Sequence, residues 1–136
     1  MDEAITKIGI MKVEEFKELS NILNSKLKLN YDLKKKNWFN IGGKTKVYLN
    51  ADTLKDLIFF LKKVDDKEKI FVLGAGSNTL ITDDSYDGVV IKLGKNFSNI
   101  SLLPNGLIVA GAAALDKKLS EFAFQNGIGG FEFLLC

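Results

Sequence analysis

The fold of this chain is decided by residues 70–80, which read IFVLGAGSNTL. Ile70–Leu73 is a continuous apolar run, which is typical of a strand buried on both faces of a parallel sheet. Residues 74–78 follow at once and contain two glycines, a serine and an asparagine. Glycine lets the backbone approach a ligand closely and turn its N–H groups toward an anion. The stretch predicts a phosphate-binding loop after a buried strand, with a plain turn as the alternative.

The loop departs from the two commonest nucleotide-binding signatures. A third glycine of the dinucleotide fingerprint would fall at position 79, which is a threonine, and an apolar, strand-like run continues after it. No Gly-Lys-Ser/Thr follows, so the loop is not a P-loop. Because the chain has no histidine, neither Ser77 nor Cys136 has the usual base that activates a nucleophile. We therefore predict binding rather than catalysis at this loop.

Composition restricts the chemistry further. The 136 residues carry a net charge of +2, too balanced to indicate nucleic-acid binding, and one cysteine leaves no disulfide or zinc framework. All 19 basic residues are lysines, so an anion must be held by lysine or by backbone N–H groups. Asp83, Asp84 and Asp87 lack the glycine and distal glutamate of a calcium loop, so no metal site is expected. Without a signal peptide or a membrane-length apolar run, the sequence predicts a cytoplasmic protein with no membrane partner.

The first half of the chain reads as a helix followed by a βαβ unit. Apolar residues at helical spacing predict a helix over residues 12–28, and a charged link follows. Residues 47–49 predict a strand, and Asp52-Thr53 can cap the next helix. Residues 46–73 therefore predict a βαβ unit with parallel strands. The apolar stripe expected to face the core of its helix is Leu54, Leu57, Ile58, Leu61 and Val64.

The second half predicts a mixed or antiparallel sheet with one helix. A strand over residues 89–93 precedes a hairpin, whose strands at 100–103 and 107–110 flank a Pro-Asn-Gly turn. A helix from 115 to about 125 ends at Asn-Gly. The chain stops in an apolar run at residues 131–136, which favours either a terminal strand tucked into a sheet or a truncated chain.

The order of the motifs closely resembles the N-terminal part of the UDP-N-acetylenolpyruvoylglucosamine reductase family, over residues 33–136. Each motif is modest alone, and the ordered set is specific. Around the βαβ unit, the motifs are Trp-Phe-Asn-Ile-Gly-Gly at 38–43, Val-Leu-Gly-Ala-Gly-Ser-Asn-Thr-Leu at 72–80, Gly-Val-Val-Ile at 88–91, Ala-Gly-Ala at 110–112 and Gly-Ile-Gly-Gly-Phe-Glu-Phe at 127–133.

The resemblance implies an α+β, FAD-binding domain of the type shared with vanillyl-alcohol oxidase and p-cresol methylhydroxylase. FAD would lie between two α/β subdomains, the first with the βαβ unit and the second with the mixed or antiparallel sheet. Residues 1–30 would be an N-terminal helical extension and residues 31–136 an FAD-binding domain incomplete at its C-terminus. The cofactor-binding residues implied are Gly74, Ala75, Gly76, Ser77 and Asn78 at the pyrophosphate, then Thr79 and Leu80 along the cofactor, and Gly111.

The resemblance also implies an oxidoreductase of peptidoglycan synthesis, and so of bacterial cell wall biogenesis, cell shape and cell division. In the family, NADPH reduces FAD, and the reduced flavin passes hydride to the enolpyruvyl double bond of UDP-N-acetylglucosamine enolpyruvate, giving UDP-N-acetylmuramate. The family's catalytic serine, arginine and glutamate lie beyond the stretch that this chain matches. No catalytic residue is therefore carried onto the chain, and it is expected to be inactive alone.

Two alternatives stay open beside this reading. One is another FAD-dependent oxidoreductase of the same fold, and the other is a non-catalytic remnant that no longer holds flavin. The resemblance favours truncation as the explanation of the apolar end. Exposed apolar side chains at residues 131–135 would then promote self-association.

Overall fold

A computed structural model describes residues 13–36, 43–73 and 86–132 of the chain. The chain divides into two compact units, Met1–Leu93 and Gly94–Cys136. Among the described residues, both units combine helices with strands, and the predicted α+β class is confirmed.

The described residues of the first unit form four strands and two helices. Helix α1 is Val13–Ile22 and helix α2 is Leu54–Lys63. The strands are β1 (Lys26–Asp32), β2 (Lys44–Ala51), β3 (Ile70–Leu73) and β4 (Tyr86–Leu93). A short 3₁₀ turn, Leu33–Lys36, follows β1.

The four strands form one sheet in the order β1-β2-β4-β3. Strand β1 runs antiparallel to β2, whereas β2 and β3 both run parallel to β4. The predicted parallel direction of β2 and β3 is confirmed, and β4 lies between them. The two central strands carry the best-buried part of the sheet, where one face consists of Val47, Leu49, Val89 and Ile91.

Helix α2 begins as predicted, at a threonine cap. The Thr53 hydroxyl accepts a hydrogen bond from the Asp56 backbone N–H at 3.1 Å. The Asp56 carboxylate is buried and reaches back to the link between α1 and β1, where it accepts bonds from the Ser25 backbone N–H and from its Oγ, both at 2.7 Å. The Ser25 Oγ in turn accepts from the Asp52 N–H at 2.8 Å. This network fixes the first turn of α2 to the start of β1.

The predicted core face of α2 is confirmed only in part, at Val64, which is buried, and at Leu57, which is half-buried. Leu54, Ile58 and Leu61 are exposed, whereas Phe60 is fully buried and its ring centroid lies 6.4 Å from that of Phe16 in α1. The hydrogen bonds of Asp56 and the ring contact of Phe60, four residues apart, set the rotation of the helix. The apolar stripe alone did not include either residue.

Two further predictions are wrong. The first helix ends at Ile22 instead of continuing to residue 28, and the charged link contains β1. In Lys26–Asp32, apolar and polar residues alternate with the period of a strand, and this short-range pattern prevails over the helical spacing. Strand β1 also crosses the predicted domain boundary at residue 30, so that division stays a prediction.

The second correction concerns β3, which is not buried on both faces. Its first three residues are 42–58% exposed, and only Leu73 is buried. The cause is the position of β4, which occupies the central place and leaves β3 at the edge of the sheet.

The second unit holds a hairpin and a helix, as predicted. Strands β5 (Ile100–Leu102) and β6 (Ile108–Ala110) pair antiparallel. Gly106 in the turn has φ of +83°, a conformation that favours glycine. Helix α3 is Asp116–Gln125 and ends at Asn126, followed by Gly127 with φ of +71°.

Candidate cofactor-binding site

The carboxyl ends of the parallel strands mark the expected ligand edge of the sheet. Strand β3 ends at Leu73, and Leu73 is in register with Lys92, the penultimate residue of β4. Open sheets with parallel strands bind ligands outside the carboxyl ends of those strands. The predicted loop at residues 74–80 follows β3 directly along the chain and lies outside the described residues, so its cofactor contacts stay predictions.

One cross-strand row lies at this edge of the sheet. Lys26 of β1 is opposite Asn50 of β2, Asn50 is opposite Lys92 of β4, and Lys92 is opposite Leu73 of β3. Residues in register share a face, so these four residues form one line across the sheet. We call Lys26, Asn50, Lys92 and Leu73 the carboxyl-edge row. It contains two lysines, one amide and no carboxylate.

Asn50 is the unusual member of the carboxyl-edge row. Its Oδ1 is buried and, in the described part of the chain, accepts no hydrogen bond. An acceptor left in this state costs about 1–3 kcal/mol, so native proteins rarely keep one without a role. In the row, this acceptor without a partner lies on the strand next to a half-buried lysine, Lys92.

An apolar, aromatic cluster adjoins this row and shares Leu73 with it. Tyr48, Val90 and Leu73 form one buried cluster with Leu33, and the Tyr31 ring stacks on Tyr48 with centroids 4.6 Å apart. Burial raises the pKa of Tyr48 to about 12, with a further contribution from Tyr31. The phenol is therefore neutral at physiological pH. The polar carboxyl-edge row borders a region that excludes water, which strengthens electrostatic contacts made there.

Gly111 is the one predicted cofactor residue that the structure describes. A Cβ at this position would lie 2.0 Å from the Phe97 carbonyl oxygen and 3.1 Å from the Ser98 nitrogen. Its own N–H donates to the Asn99 carbonyl at 2.8 Å. The packing of the chain on itself therefore already requires glycine here. A contact of Gly111 with a cofactor is not tested by this geometry.

Two open grooves lie elsewhere in the described residues. One of about 360 Å³ lies at the amino ends of β2 and β4, where Thr45, Lys46 and Tyr86 contribute to its wall. The other, about 280 Å³, is mainly apolar and is lined by α3 and the residues after it, including Phe124, Ile128 and Phe131. The first lies at the end of the strands opposite to the predicted loop, so we do not assign it to the cofactor.

The described residues contain neither a metal-binding cluster nor a membrane-spanning helix. No group of three or more His, Cys, Asp or Glu side chains is placed to hold a metal ion in residues 13–36, 43–73 and 86–132. None of the helices in this part of the chain is long and apolar enough to cross a lipid bilayer.

Comparison with known proteins finds similar reductases. The chain is 68% identical over 126 residues to the UDP-N-acetylenolpyruvoylglucosamine reductase of Pelagibacter ubique, covering 93% of this chain and 42% of that protein. The chain is a homologue of part of this reductase. The Rickettsia typhi reductase is 43% identical over 114 residues, covering 84% of this chain and 38% of that protein. The resemblance predicted from the motifs is confirmed.

A solved structure shows the same likeness at the level of the fold. It is the UDP-N-acetylenolpyruvylglucosamine reductase of Thermus caldophilus, with a TM-score of 0.61 and 27% identity. The match covers 82% of this chain and 37% of that one. No protein-family model matches the chain. The chain spans about two fifths of the length of the curated reductases that it matches.

Sequence reasoning did not single out the carboxyl-edge row. A usable signal was present, because Asn50 directly follows the predicted strand at residues 47–49 and Lys92 lies near the end of the one at 89–93. Polar residues at the carboxyl ends of parallel strands indicate a ligand edge. What was missing was the strand order, which brings these two residues beside the end of β3.

Proposed function

We propose that this chain is the FAD-binding part of a UDP-N-acetylenolpyruvoylglucosamine reductase. The supporting observation is the position of the predicted glycine loop in the chain, directly after β3. The predicted glycine loop follows Leu73 directly along the chain, at the carboxyl ends of the parallel strands β2, β3 and β4, in a chain 68% identical to a reductase of that name.

The residues proposed to hold FAD are those of the loop and its neighbourhood. The backbone N–H groups of Gly74, Ala75 and Gly76 would bind the pyrophosphate, because the chain has no arginine to do so. Ser77 and Asn78 add side-chain donors, and Thr79, Leu80 and Gly111 complete the proposed set. Bound FAD supplies hydride chemistry, and the protein's part is to bind the cofactor, orient it and exclude water.

The activity of the whole reductase is also a proposal for this chain. We propose that it serves an oxidoreductase of peptidoglycan synthesis that acts on a UDP-sugar enolpyruvate with NADPH. The resemblance places the family's catalytic serine, arginine and glutamate beyond the matched stretch, and the chain contains no arginine. Pure chain should therefore show no NADPH-dependent reduction of the enolpyruvyl substrate, and measurable turnover would contradict this.

The direct test is the visible absorption spectrum of the purified chain after addition of FAD and desalting. A retained flavin band is expected. The variant Gly76→Val places a branched side chain where the backbone must approach the phosphates, so it should lose the band. Gly129→Val is the control, because Gly129 has no positive φ and a Cβ there meets only an ordinary contact at 3.8 Å. Equal flavin retention by both variants would refute the assignment of the loop.

A further inference from the structure

The sequence contains two Asn-Gly pairs, and both are exposed in the second unit. Asn105-Gly106 lies in the turn between β5 and β6, and Asn126-Gly127 follows the last residue of α3. An asparagine before a glycine is prone to deamidation, because no side chain shields the glycine nitrogen from the asparagine side-chain carbonyl that it attacks. The two pairs have the same residues in different hydrogen-bond surroundings, so the structure can distinguish them.

The glycine backbones of the two pairs are nearly alike. Gly106 and Gly127 both have a positive φ, +83° and +71°. The Gly106 N–H donates to the Leu103 carbonyl at 2.9 Å. The Gly127 N–H donates to the Phe124 carbonyl at 3.0 Å. Attack by either nitrogen therefore loses one backbone hydrogen bond, and a difference in rate must come from the asparagine side chains.

The Asn105 side chain is held against its own turn. Its Oδ1 accepts a hydrogen bond from the Leu107 backbone N–H at 3.2 Å. The ring that this hydrogen bond closes contains the Asn105 Cγ and the Gly106 nitrogen, which are the two atoms that must join. The Leu107 N–H also polarises the side-chain carbonyl and stabilises the negative charge that develops on Oδ1 during the attack.

The Asn126 side chain is tied to helix α3 instead. Its Nδ2 donates to the Phe122 carbonyl, about one turn back along the helix, at 2.8 Å. Nδ2 is the leaving group of deamidation, so this hydrogen bond must break before ammonia can depart. Because Asn105 is activated by a hydrogen bond and Asn126 must break one, we expect rates that differ by about tenfold.

We propose that Asn105 is a site of spontaneous deamidation and that its attachment to α3 protects Asn126. The Gly106 nitrogen bonds to the Asn105 Cγ, the Cγ–Nδ2 bond breaks, and ammonia leaves with the Gly106 amide proton, which gives a succinimide. Water then opens this ring. Opening at the former side-chain carbonyl gives aspartate, and opening at the main-chain carbonyl gives isoaspartate. Overall, one amide and one water become a carboxylate and ammonium, without oxidation or reduction.

Isoaspartate at position 105 would change the β5–β6 hairpin. The turn at residues 104–106 is closed by the Leu103 N–H, which donates to the Leu107 carbonyl at 2.8 Å. Isoaspartate adds a methylene group to the main chain and a negative charge to this turn, so the closing pair no longer fits. The modified fraction should therefore lose hydrogen-exchange protection in β5 and β6. Unchanged protection in that fraction overturns the effect on the hairpin.

The test is incubation of the full chain at mildly alkaline pH, followed by trypsin digestion and mass spectrometry. Cleavage after Lys95, Lys117 and Lys118 places the two Asn-Gly pairs on separate peptides. Deamidation raises the mass of its peptide, and a protein isoaspartyl methyltransferase labels the isoaspartate. In the folded chain, Asn105 should deamidate about tenfold faster than Asn126. Equal rates, or a faster rate at Asn126, overturn the proposal.

Unfolding the chain in urea separates the effect of the structure from that of the sequence. Without the side-chain hydrogen bonds, the two asparagines should deamidate at equal rates. A difference that persists in urea would show that the flanking residues decide the rates, and it would refute the role of the two hydrogen bonds.

Gly106→Ala and Gly127→Ala are matched variants, because a Cβ at either position meets no atom within 4 Å. Each variant should slow deamidation only at the asparagine before it, since the added methyl group shields the attacking nitrogen. If Gly106→Ala leaves the rate at Asn105 unchanged, the Gly106 nitrogen is not the attacking atom and the proposal is refuted.

Discussion

Ser25→Ala removes the centre of the network that joins α2 to β1. The lost Oγ donates to the buried Asp56 carboxylate at 2.7 Å and accepts from the Asp52 N–H at 2.8 Å. A hydrogen bond to a charged group contributes about 1.5–3 kcal/mol and a neutral one about 1 kcal/mol. The Ser25 backbone N–H still reaches Asp56, so part of the network survives. We expect the free energy of unfolding to fall by about 2–4 kcal/mol.

The assay is urea denaturation followed by far-ultraviolet circular dichroism. For a unit of about this size, such a loss also lowers the melting temperature by about 10–25 °C. The slope of the free energy against urea should stay unchanged, because the surface exposed on unfolding is the same.

Ser20→Ala is the matched control for this experiment. The Ser20 hydroxyl donates only to the Lys17 carbonyl within the exposed face of α1, so the change should stay within about 0.5 kcal/mol. If Ser25→Ala and Ser20→Ala unfold at the same urea concentration, the network contributes no net stability and the reasoning is refuted.

Three other predictions concern the second unit, the tyrosine cluster and the apolar end. Gly111→Ala should disrupt the hairpin even without cofactor, since its Cβ would overlap the Phe97 carbonyl. In the control Gly106→Ala the Cβ meets open space, so the free energy of unfolding should fall by only about 1 kcal/mol. Equal hydrogen-exchange protection of the hairpin in both variants would contradict this prediction. Because the pKa of Tyr48 is about 12 in the folded chain and near 10 when unfolded, its contribution to stability is complete below pH 10 and is lost as the pH rises toward 12. A pH titration of tyrosinate absorbance should show a step near pH 12 that the variant Tyr48→Phe lacks. If the unchanged chain shows no such step, Tyr48 is not buried. Size-exclusion chromatography should show self-association through residues 131–135, and a monomer at all concentrations would argue against it.

Local elements were largely predictable because their signals are short-range. The cap of α2, the hairpin turn at Gly106 and the end of α3 all depend on residues within a few positions of one another, and all three were predicted correctly. The first helix was predicted too long because Leu23 and Leu27 fit a helical stripe, although Leu27 belongs to the alternating pattern of β1.

The sheet was less predictable because strand order is a long-range property. The continuous apolar run of β3 indicated burial on both faces, a prediction that holds for a central strand. The central place is taken by β4, whose Val89 and Val90 are buried while the first three residues of β3 are exposed. The sequence of β3 itself does not show whether the strand lies at the centre or at the edge of the sheet.

The candidate site was half predictable for the same reason. The glycine loop is a continuous motif and was found from the sequence, although its residues lie outside the described part of the chain. Asn50 and Lys92 are 42 positions apart in the chain, and only the register of β2 with β4 makes them neighbours. A site assembled across strands becomes visible once the pairing is known.

The central position of β4 has a consequence for co-translational folding on the ribosome. Synthesis releases β2, α2 and β3 before β4, so for a time the nascent chain has two parallel strands whose shared partner does not yet exist. Their inner edges then present free N–H and C=O groups, and direct pairing of β2 with β3 would close the gap that β4 must enter. The final sheet can form only after Leu93 has left the exit tunnel. The last strand of the first unit to be made is therefore the one that joins its two halves.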